Sequence, residues 1–161
     1  MIKMPVVCVA AVLIAGGSVG SVVAQGSAAP QATPPSVTPP VAVARAFKTA
    51  YPQAVIRHVS HETEDGIEQY EIESTNRGMS LDVNYKPDGT VLVVEEQVSA
   101  TDVPAAVTAA ITKRYPTATI TTRERATEGA KVYFELGLKG ASVKEVQLTP
   151  DGHWISPKAP K

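Results

Sequence analysis

Cysteine is almost absent from this chain of 161 residues, because Cys8 is its only one and lies in an apolar run near the N-terminus. If that run is removed on export, the remaining protein has no thiol. It then has no disulfide bond, no cysteine metal site and no cysteine nucleophile. An exported protein of this kind fits a Gram-negative periplasm.

Long apolar runs are also missing, apart from that same N-terminal segment. Lys3, the apolar stretch from Val6 to Ala15 and the small residues Val22 and Ala24 are typical of a signal peptide over residues 1–24. Glycines and serines interrupt the run well before the roughly 20 apolar residues that a membrane-spanning helix needs. We expect cleavage after Ala24, no stable membrane anchor thereafter and a periplasmic or secreted location. An uncleaved anchor is the alternative.

Residues 25–39 lack the apolar side chains that a folded segment requires. They consist mainly of Ala, Ser, Thr, Gln and Pro. Such a composition cannot bury enough apolar surface to become ordered, and its prolines favour an extended chain. We predict a disordered Pro/Ala-rich linker.

Neither charge nor catalytic motifs point to a reaction or to nucleic acid. The chain has 15 Lys and Arg against 16 Asp and Glu, and it shows no basic stretch interleaved with aromatics. It has three histidines, no Gly-x-Ser-x-Gly motif and no glycine-rich phosphate loop. No carboxylate lies in an apolar run that would be expected to raise its pKa. We predict a protein that is not an enzyme and uses no cofactor.

A tandem duplication occupies the rest of the chain. Tyr51-Pro52 returns as Tyr115-Pro116, a shift of 64 (115 − 51), and each pair follows a short segment that begins with proline. Pro87-Asp88-Gly89 returns as Pro150-Asp151-Gly152, a shift of 63 (150 − 87). Two repeats, over residues 40–99 and 100–161, are therefore predicted.

Each repeat begins with a predicted helix. Val43 and Phe47 share one helical face in the first repeat, as Val107 and Ile111 do in the second. We expect Thr38 and Asp102 to cap the two helices, and Pro52 and Pro116 to end them. Alternating apolar and polar residues then predict the strands 55–62, 67–74, 79–86 and 91–98, followed in the second repeat by 117–127, 131–138, 142–149 and 153–156.

Short turns between these strands predict antiparallel neighbours. The fold class is therefore α+β, with two tandem repeats, each one helix packed on a four-stranded antiparallel meander. A unit of about 60 residues buries only about 60 % of its unfolded surface, so we expect the repeats to pack together.

These motifs resemble the PepSY-like family, which is also described as β-lactamase-inhibitor-like. The resemblance rests on the Tyr-Pro pairs, on Tyr70-Glu71-Ile72 and Phe134-Glu135-Leu136, and on the two Pro-Asp-Gly turns. It implies an exported bacterial protein with helix-plus-sheet repeats. Related PepSY domains occur in propeptides of secreted metalloproteases, where an inhibitory or chaperone role is proposed. The family brings no catalytic residues to this chain.

One candidate metal site involves His58 and His61 with Glu62 and Glu64, since imidazole and carboxylate groups are zinc ligands. Three positions along a regular strand place the two histidines on opposite faces, so a shared ion would need a bulge between them. Solvated histidines are the simpler interpretation.

An acidic strip follows the same two strands and could bind calcium or a basic partner, although a solvated face is the commoner explanation. Its members are Glu62, Glu64, Asp65, Glu68, Glu71 and Glu73.

The leading functional hypothesis is a periplasmic protein-binding module, such as a regulator or inhibitor of a secreted peptidase or another envelope enzyme. Arg123, Arg125, Tyr133 and Trp154 are the candidate contact residues, because aromatic and arginine side chains dominate protein interfaces. Tyr133 and Trp154 could instead belong to the core. The alternative function is an envelope sensor that binds a small ligand or a divalent metal ion through the His58 and His61 region.

Overall fold

The computed structural model describes residues 36–64 and 66–155. The predicted signal peptide at residues 1–24 and most of the predicted linker lie outside these residues. The two described ranges contain two helices and eight strands. These are α1 (Val41–Ala50), β1 (Val55–Glu64), β2 (Ile67–Asn76), β3 (Met79–Tyr85), β4 (Val91–Gln97), α2 (Ala105–Arg114), β5 (Thr119–Glu128), β6 (Lys131–Lys139), β7 (Glu145–Leu148) and β8 (Trp154–Ile155).

All eight strands form one antiparallel sheet in chain order, from β1 to β8. The α+β class and the antiparallel strand pairing are therefore confirmed. The halves meet at β4 and β5, which pair from Val94 with Thr127 to Gln97 with Glu124. The repeats are thus joined by backbone hydrogen bonds within a continuous sheet.

The two helices have matching ends but not the caps that we expected. Pro40 and Pro104 occupy the N-cap positions, and neither makes a side-chain capping bond. Thr38 and Asp102 lie two residues too early to reach the first turns, so both cap predictions were wrong. Asp102 instead accepts hydrogen bonds from the backbone N–H of Ser99 at 3.2 Å and from its hydroxyl at 2.6 Å.

Both helices pack on the same face of the sheet, which we call the helix face. The α1 residues Val43 and Phe47 form one buried cluster with Val59, Ile72, Leu81, Val83 and Tyr85. The α2 residues Val107 and Ile111 form a second cluster with Val103, Phe134, Leu136, Leu138, Val146 and Leu148. Each helix has 10 residues, and neither helix of the described chain is long and apolar enough to cross a membrane.

The Pro-Asp-Gly turns bring the sheet close to the helices. Gly89 has φ +85°, and a Cβ atom built on it would lie 2.8 Å from the backbone oxygen of Ala42 in α1. Gly152 has φ +84°, and its Cβ would lie 2.7 Å from the backbone oxygen of Ala106 in α2. Both positions require glycine for the left-handed backbone and for the close approach.

A β-bulge also recurs at the same place in each repeat. The register shifts between Ile56 and His58 in β1 and between Ile120 and Thr122 in β5. The extra residues, at positions 57 and 121, are separated by the repeat shift of 64 (121 − 57). Each repeat therefore duplicates local irregularities as well as regular elements.

Candidate functional site

The sheet has a second face on which neither helix packs, and we call it the open face. Strand alternation and the pairing register define it, because side chains next to each core residue point the other way. It carries His58, Ser60, Glu62, Glu64, Gln69, Glu71, Glu73, Asp82, Asn84, Val93, Glu95, Gln97, Glu124, Ala126, Glu128, Tyr133, Glu135, Glu145 and Gln147.

Polar groups on the open face are unusually well buried. Glu95 is 7 % exposed and Glu135 is 3 % exposed, and Asn84 is also buried. One carboxylate oxygen of Glu95 (Oε1) and the amide oxygen of Asn84 (Oδ1) are buried without a hydrogen-bond partner in the described chain. A buried polar atom without a partner costs about 1–3 kcal/mol, so each such atom needs an explanation.

Burial and mutual repulsion together shift the titration of these carboxylates. Burial raises the pKa of Glu95 to about 9, and the charges of Glu135, Glu124, Glu71 and Asp82 contribute to that rise. The neutral form of Glu95 is therefore favoured at pH 7.

Two more open-face carboxylates have raised pKa values. Burial is the main cause for both: it brings the pKa of Glu71 to about 7, with a contribution from Glu73, and that of Glu135 to about 7, with a contribution from Glu145. The expectation that no carboxyl pKa would be raised was wrong. Their burial depends on side chains of the neighbouring strands, which the local sequence does not specify.

The duplication extends to the open face. Glu71 in β2 pairs in register with Asn84 in β3, and Glu135 in β6 pairs with Gln147 in β7. The side-chain amide of Gln147 donates to Glu135 Oε1 at 2.6 Å. Each repeat thus presents a carboxylate beside an amide, and Glu95 of β4 lies on the strand midway between Glu71 and Glu135.

The structure separates the two histidines of the candidate metal site. His58 is buried on the open face, whereas His61 stacks on Tyr70 with ring centroids 4.6 Å apart and lies 3.0 Å from Glu68 Oε1. The bulge of β1 precedes His58, so it does not bring the two rings to one face.

The carboxylates of that candidate site contact an amide. Gln69 donates to Glu62 Oε1 at 2.9 Å and lies 3.3 Å from Glu64 Oε2. Within residues 36–64 and 66–155, no group of three or more His, Cys, Asp or Glu side chains is arranged to hold a metal ion. The metal assignment stays a prediction without a structural counterpart in those ranges.

The predicted acidic strip is divided between the two faces. Glu62, Glu64, Glu71 and Glu73 lie on the open face, while Glu68 lies on the other side, near His61 and Tyr70. Asp65 lies outside the described residues. The open face gains further carboxylates from β3 to β7 that the strip did not include, namely Asp82, Glu95, Glu124, Glu128, Glu135 and Glu145.

The predicted contact residues do not converge on one surface. Arg123 and Arg125 lie on the helix face of β5, where Arg125 forms an ion pair with Glu96 and Arg123 donates to the Ile120 carbonyl at 3.3 Å. Tyr133 is buried on the open face.

Trp154, the fourth predicted contact residue, packs against the second core cluster. The Arg114 guanidinium lies 4.7 Å from its ring centroid. The contact role of all four residues remains a prediction.

Sequence reasoning missed Glu95, Asn84 and Glu135 as site residues. The sequence does contain a signal for the burial of Glu95, because in Val93-Val94-Glu95 the strand alternation places Glu95 on the same face as the apolar Val93. Val93 is buried on that face. The depth of burial depends on neighbouring strands and could not be read locally.

Solved structures of similar fold come from Bacteroides. A protein described as BLIP-like from Bacteroides fragilis has a TM-score of 0.58 and 18% identity, and the match covers 76% of this chain and 86% of that chain. A "putative periplasmic" protein from Bacteroides eggerthii has a TM-score of 0.61 and 17% identity, covering 74% of this chain and 88% of that one.

A third similar structure is a DUF2874 family protein from Bacteroides ovatus, with a TM-score of 0.58 and 20% identity over 74% of this chain and 86% of that chain. At these identities the likeness concerns the fold alone. A comparison with curated proteins gave no significant match.

One family model matches twice along the chain, over residues 30–93 and 81–153. Its description is "Putative beta-lactamase-inhibitor-like, PepSY-like". Together the two matches span well over half of the 161 residues, and they overlap over residues 81–93. The chain belongs to the PepSY-like, β-lactamase-inhibitor-like family.

Proposed function

We propose that this protein is an exported, periplasmic and non-catalytic module that binds a protein partner through the open face of its sheet. Its role would be to regulate or inhibit a secreted peptidase or another envelope enzyme. Membership of an inhibitor-like family supports this role. The names of two structural neighbours, BLIP-like and "putative periplasmic", point in the same direction.

The observation that carries the proposal is the buried, unpartnered polar surface of the open face. Glu95 and Asn84 hold acceptor atoms that make no hydrogen bond within the described chain. Both described helices pack on the opposite face, so neither of them covers the open face. A partner that donates hydrogen bonds there would remove the cost of leaving these acceptors unsatisfied.

Raised carboxyl pKa values occur at catalytic sites as well as at binding sites. We favour binding because the sequence provides neither a cysteine outside the N-terminal apolar run nor a serine in a nucleophile motif. The carboxylates are also distributed over several strands of the sheet, where Asp82 pairs in register with Glu95 and Glu124 with Glu135, so no single pair stands out as a catalytic acid and base.

We also propose that each repeat is a structural unit of one helix and a four-stranded antiparallel meander. The two separate core clusters support this division, since each contains residues of one helix and of the strands that follow it. The paired bulges and the paired Pro-Asp-Gly turns support it further.

The proposed function is tested by quantitative capture from a periplasmic extract with two matched variants. Gln97→Arg adds one positive charge to the open face, and Thr108→Arg adds one to the exposed side of α2. We expect wild-type protein and Thr108→Arg to enrich the same partner, and Gln97→Arg to lose at least about tenfold of that enrichment, which is roughly 1.4 kcal/mol. Equal capture by both variants, or no enriched protein at all, would contradict the proposal.

A further inference from the structure

The carboxylates at the centre of the open face have no positive partner within the described chain. Arg57 reaches Asp82 at 3.4 Å, and Lys131 reaches Glu128 at 3.6 Å near the end of β5. None of the ion pairs in residues 36–64 and 66–155 includes Glu71, Glu95 or Glu135. The face therefore carries buried and half-buried acidic groups whose ionised forms an external cation could stabilise.

The chemistry of that cation follows from the arrangement of the carboxylates. Glu71, Glu95 and Glu135 are dispersed over alternate strands, so several organic cations fit them better than a single metal ion does. Lysine and arginine side chains have an apolar stem and a charged end. The stem can pack against apolar residues of the face such as Val93 and Ala126, while the charged end hydrogen-bonds carboxylates. The partner surface should therefore be basic.

The spacing of the carboxylates suggests the conformation of the bound segment. Glu71, Glu95 and Glu135 lie on β2, β4 and β6, and each is displaced along the sheet by two residues relative to the one before. With strands about 4.8 Å apart and a rise of about 3.4 Å per residue, neighbouring members of this diagonal are about 12 Å apart. In an extended chain, side chains four residues apart point the same way at intervals of about 13 Å.

We propose that the open face binds an extended basic segment of its protein partner, in which cationic side chains about four residues apart contact Glu71, Glu95 and Glu135. This inference rests on the proposed function, because it specifies the chemistry of the partner that the open face takes. In this arrangement both repeats take part in binding. Each repeat contributes one outer contact, and β4 of the first repeat contributes the central contact.

Two isomeric nonapeptides test the spacing directly. The first has lysine at positions one, five and nine with serine elsewhere, and the second has its three lysines adjacent. Binding of each peptide is measured by fluorescence anisotropy. The measurement is made at about 0.15 M salt, because the Debye length is then about 8 Å and attraction between distant charges is screened. We expect the spaced peptide to bind at least about tenfold tighter, a difference of roughly 1.4 kcal/mol. Equal affinity of the two isomers would overturn the inference.

Matched variants test the position of the contact. Glu95→Gln and Thr108→Lys each raise the formal net charge by one, but only the first lies on the open face. We expect Glu95→Gln to weaken binding of the spaced peptide by about tenfold and Thr108→Lys by less than about twofold, since exposed distant charges are screened. Glu135→Gln provides a second open-face variant if Glu95→Gln fails to fold. Equal weakening by open-face and helix-side variants would overturn the inference.

Proton release gives a readout that simple surface attraction would not produce. The groups that face Glu95 are four carboxylates and one phenol, namely Asp82 on β3, Glu71 on β2, Glu124 on β5, and Glu135 and Tyr133 on β6. Of these five groups, only Asp82 forms an ion pair with Arg57. A cation favours the ionised carboxylate, so binding at pH 7 should release a proton from Glu95. Calorimetry in two buffers of different ionisation enthalpy should detect this release in wild-type protein and a smaller release in Glu95→Gln. Identical release by both proteins would contradict the proposed contact.

Two outcomes separate this inference from the proposed function. If Glu95→Gln still captures the periplasmic partner while Gln97→Arg does not, the open face binds a partner, but the inference that the partner binds through a basic segment is wrong. If spermidine binds as tightly as the spaced peptide, the site recognises a small polyamine, and the inference of a basic protein segment fails. Loss of partner capture in Glu95→Gln, with weak spermidine binding, is the result that we expect.

Discussion

Glu95 is the residue whose environment differs most from that of an ordinary surface glutamate. Its strand places it on the same side as Val93, on the face that neither described helix covers, yet it is 7 % exposed and surrounded by other acidic side chains. The burial of a carboxyl group with one unpartnered oxygen opposes folding, because the unfolded chain ionises the group freely in water. Retaining glutamate here is costly to stability, which is what a binding residue often shows.

Replacement of Glu95 by glutamine should therefore stabilise the protein above neutral pH. At pH 8 the folded protein keeps Glu95 protonated, since its pKa is about 9, whereas the unfolded chain ionises it. Glutamine has nearly the same shape and does not titrate, so we expect the free energy of unfolding to rise by up to about 5 kcal/mol at pH 8. Urea unfolding at pH 8 and at pH 4.5 measures the change. The gain should largely disappear at pH 4.5, where the unfolded chain also protonates Glu95, and a loss of stability at pH 8 would contradict this explanation.

At the scale of elements, the Pro-Asp-Gly turns hold the sheet against the helices. Gly89 and Gly152 are in equivalent turns, and each faces a backbone carbonyl of the helix in its own repeat. The turn residue Asp88 accepts a hydrogen bond from the Thr90 backbone N–H at 2.8 Å, which favours the same tight geometry. The motif therefore makes the same close approach to the helix in each repeat.

Replacement of Gly89 by alanine should lower the free energy of unfolding more than replacement of a comparable turn glycine does. Gly78 has φ +84°, but a Cβ atom added there would meet nothing within 4 Å, so Gly78→Ala isolates the backbone strain, about 1 kcal/mol. Gly89→Ala adds a clash with α1, and we expect a total loss of about 2–4 kcal/mol. Thermal or urea unfolding of both variants tests this, and equal losses would show that the contact with the helix is unimportant.

Many of the helices, strands and turns could be predicted from the sequence, because the patterns that indicate them are local. The helical faces of Val43 and Phe47, the alternation in the strands and the two glycine turns all act between near neighbours in the chain. The helix caps were misassigned because proline itself occupies each N-cap position, two residues after the residue that we expected there. The burial of Glu95 and Glu135 could not be predicted, since it depends on the register of several strands and on which face the helices cover.

At the scale of the whole molecule, the two repeats share one sheet. Four residue pairs between β4 and β5, from Val94–Thr127 to Gln97–Glu124, connect the halves through the backbone. Small units that are individually marginal gain from such a shared interface. The repeats should therefore unfold together.

Trp154 reports this cooperativity because it is the only tryptophan and packs in the second repeat. Phe47→Ala opens a cavity in the first repeat and should cost about 3–5 kcal/mol. We expect the unfolding midpoint monitored by Trp154 fluorescence to fall as much as the midpoint monitored by circular dichroism. An unchanged Trp154 transition would mean that the repeats unfold independently. Val41→Ala, at a position that is 83 % exposed, serves as the control.

The open-face carboxylates also predict how stability depends on pH. Their pKa values in the folded state, about 7 for Glu71 and Glu135 and about 9 for Glu95, lie above the ordinary value of 4.5. Their protonated forms stabilise the fold fully below pH 4.5, and this contribution is lost as pH rises through 7 and then 9. The free energy of unfolding should fall over this range by at most about 1.4 kcal/mol per pH unit for each group. Stability that rises from pH 5 to pH 9 would contradict this expectation.

The buried carboxylates of the open face underlie both the proposed function and the proposed basic partner, and their titration is the most direct test. Carbon-detected nuclear magnetic resonance can follow the side-chain carboxyl groups of Glu71, Glu95 and Glu135 in the free protein. We expect midpoints near pH 7 for Glu71 and Glu135 and near pH 9 for Glu95. Midpoints near the ordinary value of 4.5 for all three would show that these groups are solvated, and the open face would then be an ordinary acidic surface.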